Sequence, residues 1–284
     1  MAVRSPTIVE GFPIEKVSFV ARMERGEGFT YDQYSLPGHH LNVVKRGRVH
    51  VECNGRTYEL SRGSVIWFHE TEQCRGRVVE APWVYYTLNF VAPSLPPPNF
   101  EHRCLQLPGK VALRQFERLL EAWQDVSVPH LVRGLRVQSR LLEILATLIT
   151  PPQQEIQYDT EASLWWQVEM ELRRNLTRPI DLRMMSRLAN RSRATITRSC
   201  QRAVGMSPLK RVKQIRLSMA HGLVILSNLT ISEIAARVGY GRVHELSRDY
   251  HKQFNVTPTE HREQYPKTYQ REFGLPLIPN REDR

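Results

Sequence analysis

The sequence predicts an α+β multidomain protein: a β-barrel or sandwich in front, two linker helices, and an all-α C-terminal domain with two helix-turn-helix units. Three observations predict it. Short alternating runs punctuated by glycines fill residues 16–92, two amphipathic stretches follow a proline cluster, and a helical pattern near the end of the chain repeats itself.

In the front segment Leu41-Asn42-Val43-Val44, Val49-His50-Val51-Glu52-Cys53 and Thr57-Tyr58-Glu59-Leu60 are separated by Gly47 and Asn54-Gly55 and bounded by Gly38 and Gly63. An Asn-Gly pair between alternating runs marks a tight hairpin, because both residue types tolerate positive φ. Val65-Ile66-Trp67-Phe68 and the run from Val84 to Val91 continue the pattern. In the latter Val84, Tyr86, Leu88 and Phe90 share one face, and Trp83, Tyr85, Thr87 and Asn89 the other. Pro93 and Pro96-Pro97-Pro98 then end the sheet.

Helices are predicted at 109–125 and 131–149. In the second, Leu135, Leu142, Leu145 and Ile149 fall at helical spacing, and Leu141, Ile144 and Leu148 widen the apolar stripe. So wide a stripe packs on its own barrel or also meets a second subunit, and periodicity leaves both open. Thr150-Pro151-Pro152-Gln153-Gln154 reads as a linker. The chain divides into a β domain at 1–107, linker helices at 108–158, a helical domain at 159–265 and a tail at 266–284.

The repeat carries the functional expectation. Asp181-Leu182-x-x-Met185-Ser186-x-x-Ala189-Asn190 matches Thr230-Ile231-x-x-Ile234-Ala235-x-x-Val238-Gly239 at an offset of 49 residues. Ile196-Thr197-Arg198-x-Cys200 then matches Leu246-Ser247-Arg248-x-Tyr250, and Pro208 matches Pro258, at an offset of 50. One additional residue therefore belongs to the second turn. Thr230-Ile231-Ser232-Glu233 is a capping box and Asp181 caps the equivalent helix. Asn190 and Gly239 suit a left-handed backbone at the turn. Second helices follow at 192–204 and 241–254, where a DNA-reading unit places its recognition helix.

One such unit also occurs in plain helical bundles. Charge separates the readings: of a formal net +11, residues 161–265 hold 18 Lys/Arg against 9 Asp/Glu, which leaves only +2 elsewhere. A basic excess confined to the duplicated segment points to double-stranded DNA.

Other classes are disfavoured. No run of about 18 uncharged apolar residues exists to span a membrane, and the N-terminus lacks the apolar core of a signal peptide. Cys53, Cys74, Cys104 and Cys200 form no metal or disulfide spacing, as expected of reduced thiols in a cytoplasmic protein. His39 and His40 are adjacent and point to opposite strand faces, and Lys45 and Arg46 follow where a metal site would want an acid. No metal, cofactor or catalytic constellation is expected.

The stretch Gly205-Met206-Ser207-Pro208, the following helix with Arg216 and Ala220, the run Ile234-Ala235-Ala236-Arg237-Val238-Gly239-Tyr240 and the ending Phe254-Asn255-Val256-Thr257-Pro258 to Arg262 resemble the AraC/XylS family over about 100 residues. Asn190 and Asn255 stand where glycines are usual, Cys200 and Leu246 where phenylalanines are, and Ser186 where alanine is. The resemblance implies two recognition helices joined by a rigid helix at 208–226 and entering successive major grooves about 34 Å apart. Arg193, Ala194, Thr197 and Arg198 in the first unit, and Arg242, Val243, His244, Ser247 and Arg248 in the second, are then expected at base edges. Arg198 and Arg248 occupy matching places and can grip guanine with two bonds, or a phosphate instead. Ala194 and Val243 suit a thymine methyl, and Arg191, Lys210, Arg211 and Lys213 suit phosphates.

More loosely, Gly47, the Asn54-Gly55-Arg56-x-Tyr58-x-Leu60 hairpin, Gly63-Ser64-Val65-Ile66 and the strand around Trp83 resemble the cupin-like effector domain attached to that family. This implies a pocket in which Trp67, His69, Trp83, Tyr85 and Asn89 meet a small polar effector, sugars being one class; filling the core is the alternative for each tryptophan. A homodimer on promoter half-sites, activating through RNA polymerase, is the further implication. Two rivals remain at this point: a DNA-modifying enzyme borrowing the same unit, and a ligand-free architectural DNA-binding protein.

Overall fold

A computed structural model of the chain describes residues 14–92, 95, 97–98, 102–106, 109–149 and 160–264. The N-terminus read for a signal peptide, Pro93, Pro96, the linker at 150–154 and the tail at 266–284 lie outside the described residues.

The front domain is an antiparallel sheet of β1 (Lys16–Arg25), β2 (Thr30–Tyr34), β3 (His39–Cys53), β4 (Arg56–Leu60), β5 (Ser64–His69), β6 (Gln73–Val91) and β7 (Cys104–Gln106). The order is β1-β6-β3-β5-β7, with β2 also on β6 and β4 also on β3. Asn54 (φ 50°) and Gly55 (φ 76°) close the β3–β4 hairpin with Cys53 opposite Arg56, the two positive φ values of a type I′ turn.

The break expected at Gly47 is instead a bulge in one long strand, with register shifts between Val44 and Val49. A Cβ on Gly47 would lie 2.5 Å and 2.6 Å from the Glu80 and Pro82 carbonyl oxygens, so glycine is what lets β3 stay on β6. The bulge also resets the alternation. Val44 and Val49, five residues apart, face the same core.

That core holds Ala21 and Met23 of β1, Val49 and Val51 of β3, Leu60 of β4, Ile66 and Phe68 of β5 and Trp83 and Tyr85 of β6. Strands from both ends of the hydrogen-bonded path line one interior, so the sheet wraps like a barrel. Its other face, with Leu41, Val43, Trp67, Leu88 and Phe90, is covered by α1 (Gly109–Gln124) through Phe116 and Leu119 and by α2 (His130–Ile149) through Leu141, Ile144, Leu145 and Leu148. Half of the α2 stripe is thereby used. Leu131, Leu135 and Leu142 stay 73%, 60% and 42% exposed.

Seven helices make the C-terminal domain: α3 (Thr160–Arg174), α4 (Leu182–Leu188), α5 (Arg193–Val204), α6 (Pro208–Leu226), α7 (Ile231–Arg237), α8 (Val243–Phe254) and α9 (Pro258–Gln264). Asp181 caps α4 by accepting from the Met184 amide, and Thr230 with Glu233 forms the capping box of α7. Asn190 and Asn255 adopt the left-handed conformation (φ 49° and 58°) that Gly239 and Gly205 take in the other copy. Four residues separate α4 from α5 and five separate α7 from α8, which puts the additional residue in the second turn.

Helix α6 is the spine. Its Val212 joins the first unit's core with Trp165, Met185, Ile196 and Cys200, and its Leu217, Ala220 and Val224 join the second unit's with Ile234, Leu246 and Tyr250. The barrel docks on the same helix. Phe19 and Leu36 pack with Ile225, and the Pro37 ring sits where a Cβ on Gly222 would be 2.6 Å away.

Candidate DNA-reading face and sensory barrel

Helices α5 and α8 bury one face and expose the other. Ile196, Ser199 and Cys200 turn inward on α5, as do Leu246, Asp249 and Tyr250 on α8. On the opposite faces Arg193, Ala194, Thr197, Arg198, Arg242, Val243, His244 and Arg248 are exposed, and Ser247 is half-buried. These two faces are open, although Tyr34 of β2 meets Phe254 at the far end of α8, ring centroids 5.0 Å apart. A 19-residue α6 is about 28 Å long, close to the repeat of a duplex. Behind this face the buried Asp249 is a local acid: Lys213 binds it at 2.8 Å and the Arg248 Nε approaches it at 3.5 Å. Thr197 donates its hydroxyl to the Arg193 carbonyl at 3.0 Å.

Arg211 departs from its expected phosphate role, because it is buried, with 3% exposure, at the joint between the domains. There Glu70, in the turn after β5, accepts from Arg211 at 3.0 Å, from Ser218 at 3.2 Å and from the Gly38 amide at 3.4 Å, and pairs with Arg173. Glu169 of α3 completes the cluster, 2.7 Å from both Arg173 and Arg211. Burial alone would raise the Glu70 and Glu169 pKa values, yet the two guanidiniums outweigh it and hold both carboxyls below the usual range. Two acids and two arginines thus join the barrel, α3 and α6. Sequence reasoning missed this cluster. Its one visible signal was Glu169 at a core position among Trp165, Val168 and Leu172.

The five residues expected in an effector pocket do not come together. Trp67 and His69 lie on the helix-covered face, where Trp67 donates to His39 at 3.0 Å and His39 stacks on Phe90. Trp83 and Tyr85 stack inside the barrel, ring centroids 3.9 Å apart. Asn89 is six residues further along β6, about 20 Å from Trp83, and donates to the Pro37 and His39 carbonyls. The interior group is instead Phe29, Tyr31, Trp83 and Tyr85. Trp83 Nε1 and Tyr31 Oη are buried there without a hydrogen-bond partner among the described residues. Tyr31 went unread because β2 is five residues long and too polar to alternate clearly.

His39 and His40 do face opposite sides of β3: His40 bonds Thr87 at 2.8 Å and Asn42 at 3.1 Å. Burial lowers both imidazoles to about 4. Among the described residues no group of three or more His, Cys, Asp or Glu could hold a metal ion, and no helix is long and apolar enough to cross a membrane.

A barrel with an aromatic interior, joined through one spine helix to two helix-turn-helix units with exposed arginine-bearing faces, is the build of a regulator of transcription. Family comparison agrees. The AraC-like ligand binding domain matches residues 16–165 and the helix-turn-helix domain residues 185–264, so the chain belongs to the AraC family of transcription regulators. It carries that family's ligand-binding and DNA-binding domains, and such regulators are not enzymes, which removes the DNA-modifying reading.

Among similar proteins, the lactose operon transcription activator of Staphylococcus xylosus is 22% identical over 257 residues, covering 84% of this chain and 88% of the relative. The HTH-type transcriptional regulator GbdR of Pseudomonas aeruginosa is 28% identical over 104 residues, 37% of this chain and 27% of that one. A lysine-to-alanine variant of apo ToxT from Vibrio cholerae superposes with a TM-score of 0.60 at 12% identity, over 89% of this chain and 100% of that one.

Proposed function

We propose that the chain is a sequence-specific activator that reads paired promoter half-sites with α5 and α8 and is controlled by a sugar-class effector in the barrel. The observation that carries the DNA part is the exposure of the arginine-bearing faces of both recognition helices. A small molecule responsive to the interior would sit against Trp83 and Tyr31, whose unpartnered donors suit hydroxyl groups and whose rings suit a sugar's apolar face. The S. xylosus relative, a lactose operon transcription activator, supports both sugar and activation. Activation through RNA polymerase, in the cytoplasm, follows the same reading.

A homodimer fits the exposed half of α2. Leu131, Leu135 and Leu142 form an apolar seam flanked by Arg136, Arg140 and Glu143, a mixture of charges suited to a second copy of itself. The signal route in this account is the Glu70 cluster, which ties the turn after β5 to α3 and α6.

The test is selection of a binding site from random duplexes by the full chain, repeated with a panel of sugars. A selected sequence whose affinity one sugar alters supports the reading. Selection of a site that no sugar affects would leave the regulator and remove the effector class, and failure to select any sequence would remove the regulator.

A further inference from the structure

We propose that the groove between the barrel and α1 binds a small polyanionic molecule, one bearing a phosphate or a pair of carboxylates. The groove encloses about 710 Å³, the size of a small-molecule site, and is lined by Lys45, Arg46, Arg48, Arg62, Arg114, Glu80 and Glu117 among others. Five cations face two acids.

The acids are already committed. Glu80 lies 2.8 Å from Arg48, and Glu117 lies 2.9 Å from Lys45 and accepts from Tyr86 at 3.0 Å. Arg46, Arg62 and Arg114 are exposed and form no salt bridge with a described residue. They come from three separate elements, the β3 bulge, the β4–β5 turn and α1, and converge on one cavity. The bulge is what makes this possible. By resetting the alternation at Gly47, it turns Lys45, Arg46 and Arg48 all away from the interior core, where regular alternation from Val44 would send Arg46 and Arg48 inward.

Three guanidiniums outside any salt bridge, of which Arg114 alone feels the field of Glu117, suit an oxyanion carrying two or more charges, since each can offer paired N–H donors. On the groove wall the Lys45–Tyr86–Glu117 triad links β6 to α1. An anion competing with Glu117 for Lys45 would therefore act on the helix layer that covers the sheet. That consequence rests on the regulator reading; binding itself does not.

Isothermal titration of the full chain at fixed ionic strength, without DNA, tests it with pyrophosphate, succinate and uncharged glucose. Saturable binding of pyrophosphate or succinate, with glucose not competing, is expected, and whichever of the two binds names the anion class. The triple variant R46A/R62A/R114A should bind at least about tenfold more weakly, and each single variant should show part of that loss should the triple fail to fold. Silence with both anions, or binding unchanged in the single and triple variants, would overturn the proposal. So would weaker duplex binding by the triple variant without any small molecule, which would assign the groove to DNA phosphates. A sugar effect on DNA affinity that survives the arginine replacements would uphold the regulator while the groove site fell.

Discussion

In the first helix-turn-helix copy, residues 181–205 carry six arginines against one acid; in the second, residues 230–255 carry four basic residues against three acids. Their interiors differ in the opposite sense. Ser186 and Ala189 stay half-exposed in the first copy, whereas Ala235 and Val238 at the matching places are buried. Their ties to the barrel differ too. The first copy's domain side meets Glu70 through a buried ion cluster, while the second meets Tyr34 through an edge-on ring contact of Phe254 at 5.0 Å. One backbone plan, used twice, thus gives a strongly cationic, thinly packed unit and a nearly neutral, well-packed one, and we propose that the first mainly grips the DNA backbone while the second contributes most of the base discrimination.

The largest expected effect tests the docking difference. Glu70→Ala leaves Arg173 and Arg211 buried with only Glu169 between them, and should cost about 3–5 kcal/mol in urea unfolding. Tyr34→Ala should cost about 1 kcal/mol, the scale of an aromatic pair. Similar losses from the two would erase the contrast.

Acid should separate the copies next. The second copy's core holds His221, and His261 bonded to Tyr250 at 2.8 Å; burial pushes the His261 pKa down to about 4 and His221 well below its ordinary value. An imidazole whose folded pKa is depressed binds its proton more readily when unfolded, so stability is lost as pH falls from about 6.5 towards 4. For His261 this amounts to something on the order of 3 kcal/mol. Glu70 and Glu169, depressed carboxyls beside the first copy, keep their contribution until the pH drops below the usual carboxylate range. Hydrogen exchange, corrected for intrinsic rates, should show α8 losing protection before α5.

On DNA, Arg248→Ala should weaken the selected site by about 1–3 kcal/mol while barely changing random duplex; equal losses would make Arg248 a phosphate contact. Replacing Arg187 and Arg191 of the first copy should instead weaken all duplexes alike and flatten the salt dependence by about 2 log units per log unit. A salt slope unchanged in that variant would break the assignment of grip to the first copy.

The smallest test swaps the packing. Ala235→Ser buries a hydroxyl in the tight core and should cost about 1–3 kcal/mol, whereas Ser186→Ala removes a hydroxyl that bonds the Arg191 carbonyl at a half-exposed site and should cost under about 1 kcal/mol. Reversal of that order would show the first copy to be the tighter one.

What could be read in advance follows the range of the interactions. Caps, turns and periodicity are local, so Asp181, the Thr230–Glu233 box and the limits of α6 were legible from neighbouring residues. The Asn54-Gly55 hairpin was legible for the same reason. Glu70 meets Arg211 across 141 residues, and nothing local distinguishes that arginine from the exposed Lys210 beside it. Trp67 and Trp83 looked like partners because register between separate strands is set by the sheet as a whole. Pairing Leu41 with both Trp67 and Leu88 puts Trp67 on the face opposite Trp83. The bulge at Gly47, read as a chain break, shows the same limit: whether glycine ends a strand or admits a close neighbour depends on residues some 35 positions away.

Phasing of the two half-sites tests the central geometry most directly. Insertion of about five base pairs, half a helical turn, between the two half-sites of the selected duplex rotates one groove away from its helix. With α6 as a rigid spine, binding should fall to that of a single half-site, a loss of at least about tenfold. Affinity unchanged by the insertion would contradict simultaneous reading of adjacent grooves by α5 and α8.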